Sequence, residues 1–144
     1  MNLEAPIPST PEFREYLIDV YRSTGGRTGH IVNNVPVILM TTGDKNGKIH
    51  TVPVYYGRLG DAFIVIASKG GHPEHPQWYR NMVDTGRVTV ELLAETVECV
   101  PRVTSGDEHD RLWQLMVEIW PSYDSYQKST TRRIPLVVLD PVEA

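Results

Sequence analysis

Three short apolar runs joined by turn-forming residues limit the possible folds of this chain more than any other feature. They occupy residues 35–42, 49–57 and 62–68. Each has the length of a β-strand and is far shorter than the ~20 residues that a membrane-spanning helix needs. Asn46 and Gly47, between the first two runs, form a dipeptide typical of tight hairpin turns. Strands joined by such turns pair in antiparallel order, so we expect an antiparallel sheet.

An amphipathic helix is predicted before the strands. Thr10 suits the N-cap, Pro11 the first helical position and Gly25 the end of the helix. Between them, apolar residues recur with helical spacing, which gives the helix one apolar face. That face comprises Phe13, Tyr16, Leu17, Val20 and Tyr21.

The rest of the chain alternates predicted strands with helices. Strands are predicted at residues 87–93, 96–103 and 134–139, and helices at residues 76–83, 105–120 and 121–127. The apolar stripe of the long helix is Leu112, Leu115, Met116 and Ile119. About six strands without regular βαβ alternation fit a barrel or a sandwich with helices added outside.

The composition is that of one ordinary globular domain. The chain has 144 residues, of which 40% are hydrophobic, and a formal net charge of −4. Its length allows a substantial core, and its acidity argues against a general nucleic-acid surface. Cys99 is the only cysteine, which fits a reduced compartment. Residues 1–11 have neither a basic start nor an apolar run, so we expect a cytoplasmic location.

Two glycine-rich turns with lysines are candidate anion sites. In residues 43–48 the glycines let backbone N–H groups converge, although an ordinary hairpin explains this segment more simply. Residues 67–71 are the stronger candidate because they follow a buried strand, where binding loops commonly lie. Ser68 offers a hydroxyl and Lys69 a charge, and a plain glycine turn is the alternative. Neither segment has the spacing of a Walker loop or a dinucleotide fingerprint.

Aromatic and histidine residues form two further groups. Tyr123 and Tyr126 are three residues apart and would share a helix face, which could wall an aromatic ligand or pack on the sheet. His72 and His75 are too few for a zinc site, which needs three or four ligands, so we expect no metal.

Several segments, taken in order from about residue 30 to the end, resemble the deazaflavin-dependent nitroreductase family. They are residues 36–43 with Lys45 and Gly47, then residues 52–55, 67–71, 76–81, 120–127 and 133–138. The combination is specific, whereas any one motif would be weak. The resemblance implies a mainly β (α+β) fold, a split β-barrel of the flavin-reductase type. Its barrel domain would span residues 30–144, after an N-terminal segment of residues 1–29 that carries the amphipathic helix.

The resemblance also implies hydride transfer from reduced coenzyme F-420, a deazaflavin, to a quinone or nitroaromatic acceptor. The residues that it assigns to the coenzyme are Lys45, Asn46, His50, Val52, Pro53, Tyr55, Ile66, Ala67, Ser68, Lys69, Gly70, Gly71, Gln77, Trp78, Tyr79, Arg80 and Asn81. The residues that it assigns to catalysis are Tyr123, Ser68 and Tyr126, and Trp120 would join the two tyrosines in the acceptor pocket.

Three positions depart from the family pattern: Asp44, Asn46 in place of the usual Thr or Ser, and Trp120, where a nitroimidazole-reducing relative would carry tyrosine. Asp44 stands where the family's usual turn has an arginine, and an acid there is expected to repel the coenzyme's anionic tail. Two other functions stay open. The alternatives are an FMN-dependent oxidoreductase on the same barrel and a non-catalytic deazaflavin carrier. Pairing into a homodimer and peripheral membrane contact are hypotheses that accompany the resemblance.

Overall fold

The computed structural model describes residues 10–142, which form one curled antiparallel sheet with helices on both faces. The helices are α1 (Pro11–Ser23), α2 (Gln77–Thr85), α3 (Gly106–Ile119) and α4 (Ser122–Lys128), with a single 3-10 turn at Lys69–Gly71. The strands are β1 (Ile31–Val32), β2 (Val35–Gly43), β3 (Ile49–Tyr55), β4 (Gly57–Leu59), β5 (Ala62–Ile66), β6 (Val88–Leu92), β7 (Glu95–Val103) and β8 (Leu136–Pro141).

The sheet runs in the order β1-β2-β6-β7-β8-β5-β4, and β3 pairs with β2 away from this path. Every strand pair is antiparallel. Strands β3 and β4 are separated by Tyr56 alone and pair with different partners, β2 and β5. The chain therefore leaves one side of the barrel and joins the other at this point, as expected of a split barrel.

Two apolar clusters lie on opposite faces of the central strands. Alternate residues of β5 and β8 contribute to each cluster, so these strands are buried on both faces. This burial explains why the apolar runs in the sequence are unbroken rather than alternating. Helices α3 and α4 cover one face, and Met82 of α2 is buried in the cluster on the other.

Helix α1 is anchored by one buried tyrosine. The Tyr21 hydroxyl accepts a hydrogen bond from the Leu93 N–H at 2.9 Å and lies 3.2 and 3.3 Å from the carbonyl oxygens of Val37 and Glu91. At the other end, the Thr10 side chain caps the helix by accepting from the Phe13 N–H. These contacts fix α1 across β3 and the neighbouring strands. No helix formed by residues 10–142 combines the length and the apolarity needed to cross a bilayer.

The predicted elements are confirmed, with three corrections. Eight strands form rather than about six, because residues 31–32 and 57–59 add two short ones, the second in a segment predicted as a turn. Leu115 was expected in the core but is 37% exposed, and His109 and Trp113 are buried instead. Tyr16, predicted on the apolar face of α1, is 58% exposed. Of the five residues of that face, only Leu17 and Tyr21 are buried, so the buried face is narrower than predicted. The division of the chain at residues 29 and 30 stays a prediction, and residues 1–9 lie outside the described residues.

Candidate active site

A cleft of about 380 Å³ opens between β3, the end of β5 and the first turn of α2, with α4 behind it. This volume lies within the range of small-molecule sites. Its lining residues are Arg14, His50, Val52, Pro53, Val54, Tyr55, Ile66, Ser68, Lys69, Pro76, Gln77, Trp78, Arg80, Asn81 and Tyr123.

The loop after β5 has a rare backbone conformation. Lys69, Gly70 and Gly71 have φ values of 46°, 61° and 83°, so three consecutive residues are left-handed. This conformation suits glycine and costs about 1–2 kcal/mol at the lysine. Gly71 has a second constraint, because a Cβ there would lie 2.9 Å from the Tyr126 carbonyl oxygen. The result is a tight loop that brings Ser68 and Lys69 to the cleft.

Helix α2 begins at the cleft wall. Its N-cap is Pro76, whose side chain makes no capping hydrogen bond. Because Pro76 and Gln77 both line the cleft, the positive end of the helix dipole lies at the cleft. The side-chain amide of Gln77 accepts from Arg80 at 3.0 Å and donates to the Asn81 Oδ1 at 2.9 Å. Asn81 is buried and donates in turn to the Thr42 hydroxyl at 3.1 Å. This chain of hydrogen bonds fixes the first two turns of α2 against β2.

The charge of the cleft is opposite to that of the chain. Arg14, Lys69 and Arg80 line it together with His50, and none of the described residues lining it is acidic. The chain as a whole has a net charge of −4. Such a local concentration of positive charge attracts an anionic ligand. The apolar residues of β3 and Ile66 of β5 supply the surface that a flat ring would need.

Two buried residues present hydroxyl groups to the cleft. Ser68 is 4% and Tyr123 2% exposed, both line the cleft, and neither hydroxyl has a hydrogen-bond partner among residues 10–142. Neither hydroxyl is an unsatisfied buried atom, so both open toward the cleft and are available to a ligand. Burial raises the pKa of the Tyr123 phenol far above its ordinary value, and the neighbouring Tyr55 and Tyr126 add to the shift. Tyr123 therefore stays protonated, the form that can donate a hydrogen bond.

Similarity to known proteins decides between the ligands that such a cleft could hold. Residues 12–141 match the family described as F420H(2)-dependent quinone reductase. A curated F420H(2)-dependent quinone reductase of Mycobacterium tuberculosis is 38% identical over 125 residues, covering 83% of this chain and 84% of that protein. The chain belongs to this family.

Two solved structures are similar to this chain, and one of them is named as a reductase that depends on the same coenzyme. A structure of an F420-H2 Dependent Reductase has a TM-score of 0.69 and 34% identity, over 77% of this chain and 98% of that one. A domain-swapped dimer has a TM-score of 0.72 and 31% identity, over 88% and 92%. The predicted split barrel, the enzyme class, the F-420 cofactor and the quinone reductase function are confirmed. The donor set of the cleft fits the cofactor, because a cationic rim beside a flat apolar wall matches a ring with an anionic tail.

For this quinone reductase, most of the predicted site residues do line the cleft. They are His50, Val52, Pro53, Tyr55, Ile66, Ser68, Lys69, Gln77, Trp78, Arg80, Asn81 and Tyr123. The other predicted residues do not line it: Lys45, Asn46, Ala67, Gly70, Gly71, Tyr79, Trp120 and Tyr126. Of these, Trp120 and Tyr126 are buried, and the Trp120 Nε1 donates to the Tyr126 hydroxyl at 3.3 Å. Trp120 also packs on Tyr55 with ring centroids 5.2 Å apart, so it supports a cleft residue from behind.

The turn between β2 and β3 differs from the prediction in its chemistry. The Asp44 Oδ1 accepts from the N–H groups of Asn46 at 2.8 Å and Lys48 at 3.0 Å, while its Oδ2 lies 2.9 Å from the His50 Nε2. The hydrogen bond with His50, followed by those from the two N–H groups, lowers the pKa of Asp44. The anion for which these N–H groups converge is thus the chain's own carboxylate, and Asp44 is a partnered acid rather than an isolated repelling one.

Sequence reasoning missed four residues at or behind the cleft. Val54 and Pro76 adjoin predicted residues and could have been included by position. Arg14 lies on α1, three residues before the buried Leu17, and no pattern in the sequence connects that helix to the cleft. Arg132 contacts the back of the loop after β5 and has no motif around it that indicates such a role.

Proposed function

We propose that the cleft binds reduced coenzyme F-420 and a quinone together. Lys69, Arg80 and Arg14 would hold the anionic part of the coenzyme, and the apolar residues of β3 would border its ring. The observation that carries this proposal is that the charged residues lining the cleft, among residues 10–142, are all basic, in an acidic chain. The first turn of α2 adds N–H groups and a positive dipole end on the same side.

The hydroxyl groups of Ser68 and Tyr123 would hold the acceptor. When bound, the reduced coenzyme supplies the hydride, and the protein supplies position and electrostatics. Tyr123 would donate a hydrogen bond to the acceptor oxygen on which negative charge develops. Its raised pKa argues against Tyr123 giving up its proton, so the proton would come from solvent. Ser68, on the loop that carries Lys69, would add a second hydrogen bond.

Fluorescence titrations with coenzyme F-420 and with FMN test the cofactor assignment. We expect micromolar or tighter binding of F-420, weaker binding of FMN, and oxidation of the reduced complex when menadione is added. Preference for FMN would favour the FMN-dependent reading. F-420 binding without oxidation by menadione or other quinones would favour a carrier.

Tyr123→Phe tests the acceptor site. We expect kcat/KM for menadione to fall about 5- to 10-fold, the loss of a net hydrogen bond of about 1–1.5 kcal/mol, with F-420 affinity unchanged. Tyr56→Phe is the matched control, because Tyr56 is a half-buried tyrosine outside the cleft lining. Equal kinetics for Tyr123→Phe and Tyr56→Phe would limit Tyr123 to packing. Tyr126→Phe removes the hydroxyl that is both the predicted catalytic group and the acceptor of the Trp120 hydrogen bond, and kinetics unchanged from wild type would exclude a catalytic role for it.

We infer three further properties, each with its own test. Nitroaromatic acceptors are expected to be reduced in the same cleft. An assay with a nitroaromatic compound in place of menadione would test this. A cytoplasmic location with peripheral membrane contact is expected, and a liposome pull-down without binding would remove the contact. A homodimer is expected because one solved relative is a domain-swapped dimer, and light scattering of the purified protein would report its mass.

A further inference from the structure

A single arginine holds the cleft loop from behind. The Arg132 Nη2 donates to the Ser68 carbonyl oxygen at 2.7 Å, and its two Nη atoms lie 3.2 Å from the Ala67 carbonyl oxygen. The Arg132 Nε donates to the His72 carbonyl oxygen at 2.8 Å. These acceptors lie on both sides of the left-handed residues 69–71. One guanidinium group therefore connects the two ends of the strained turn.

The segment that carries Arg132 is itself fixed. The Gln127 side chain at the end of α4 donates to the Arg132 carbonyl oxygen at 2.8 Å and accepts from the Ile134 N–H at 2.9 Å. Gly71 packs against the backbone of Tyr126 from the other side. The loop is thus held between α4 and the residues that follow it.

The fourth partner of the guanidinium group is a histidine. The Arg132 Nη1 lies 3.0 Å from the His75 Nδ1, and an arginine can only donate, so this nitrogen must carry no proton. Arg80 and Tyr79 face the ring from α2, and His72 and Glu74 belong to the same loop. Burial, together with the positive charges of Arg132 and Arg80, lowers the pKa of His75. Among residues 10–142, no carboxylate forms an ion pair with Arg132.

We propose that Arg132 is a positioning residue that holds the loop of residues 67–72 so that Ser68 and Lys69 face the cleft, and that protonation of His75 weakens this hold. A protonated His75 no longer accepts at Nδ1 and places a second positive charge against the guanidinium group. The loop would then relax from its strained conformation, and Lys69 would lose its place in the cleft. This inference rests on the proposed coenzyme site, and it predicts that coenzyme affinity falls in acid through a group that does not line the cleft.

Arg132→Lys tests the hold, because a lysine keeps the charge but cannot make the forked set of hydrogen bonds. We expect the Kd for F-420 to rise about tenfold or more, with a much smaller change in kcat at saturation. In the ligand-free protein, hydrogen-exchange protection of the Gly71 and His72 amides, which donate to Ser68 and Lys69, should fall. Arg133→Lys, at the exposed neighbouring position, is the matched control.

His75→Asn tests the protonation step, since the amide oxygen of asparagine can accept near the Nδ1 position at every pH. Wild-type affinity for F-420 should weaken between pH 8 and pH 5, and part of that dependence should be absent in His75→Asn. Unchanged affinity and unchanged amide protection in Arg132→Lys would overturn the hold, and a wild-type pH profile in His75→Asn would overturn the switch. If wild-type protein binds no F-420, the coenzyme proposal fails, while amide protection measured against pH still decides the role of Arg132 and His75.

Discussion

Two glycine- and lysine-containing turns of this molecule look alike in sequence and have different roles in the structure. In the turn of residues 43–48, Asp44 fills the concavity formed by the backbone N–H groups, and neither lysine of the turn is among the residues that line the cleft. In the loop of residues 67–72, the strained backbone is held from behind by Arg132, and Lys69 lines the cleft. The first turn uses its backbone N–H groups to bind its own Asp44. The second loop is held by Arg132 and can present Ser68 and Lys69 to a ligand.

The largest expected effect comes from the room for a side chain at one glycine in each turn. Gly71 and Gly47 have nearly the same φ, 83° and 82°, but a Cβ at Gly71 would overlap the Tyr126 backbone whereas nothing lies within 4 Å of one at Gly47. Gly47→Ala should cost about 1–2 kcal/mol of folding free energy from its left-handed backbone. Gly71→Ala should cost about 1–3 kcal/mol more from overpacking, and it should weaken F-420 binding. Denaturant unfolding of both variants measures the difference, and equal losses would show that the loop has room to adjust.

The next effect compares the lysines of the two turns, Lys69 and Lys45. Lys69→Ala should weaken F-420 binding by about 1.5–3 kcal/mol, the value of a charge-assisted hydrogen bond. Lys45→Ala should change the affinity by less than about threefold, because Lys45 is exposed and does not line the cleft. Fluorescence titration of both variants at one ionic strength makes the comparison. An equal loss in the two would restore the prediction from the resemblance that the first turn also binds the anionic tail.

The smallest effect concerns Asp44 and pH. Because hydrogen bonds from His50 and the turn lower the pKa of Asp44 in the folded protein, its stabilising contribution is present above the unfolded-state value of about 3.9 and is lost as the pH falls through the folded value. Asp44→Asn should therefore lower Tm near pH 6, and the difference from wild type should shrink below about pH 4. F-420 affinity at pH 7 should change little. A large gain in affinity would mean that the family's expected repulsion does operate.

The elements of the fold were predictable because their signals are local. Thr10 and Pro11 at the start of α1, and Asn46 and Gly47 in the hairpin, act through contacts within a few residues. The two extra strands were missed because β1 and β4 are only two and three residues long and form through pairing with β2 and β5. Leu115 was assigned to the core by spacing alone, and only the packing of α3 against α4 and the sheet decides which of its residues are buried.

The sequence by itself determined the order of the helices and of the six longer strands, because periodicity and turn residues are local signals. Its motifs carried the resemblance to the family, and that resemblance implied most of the residues that line the cleft. Only the tertiary structure decided that Asp44 occupies its own turn, that Arg14 reaches the cleft from α1 and that Arg132 contacts a loop 60 to 65 positions away in sequence. These relations join residues distant in sequence, and no periodicity links them. Their geometry exists only once the sheet has curled and its helices have packed against it.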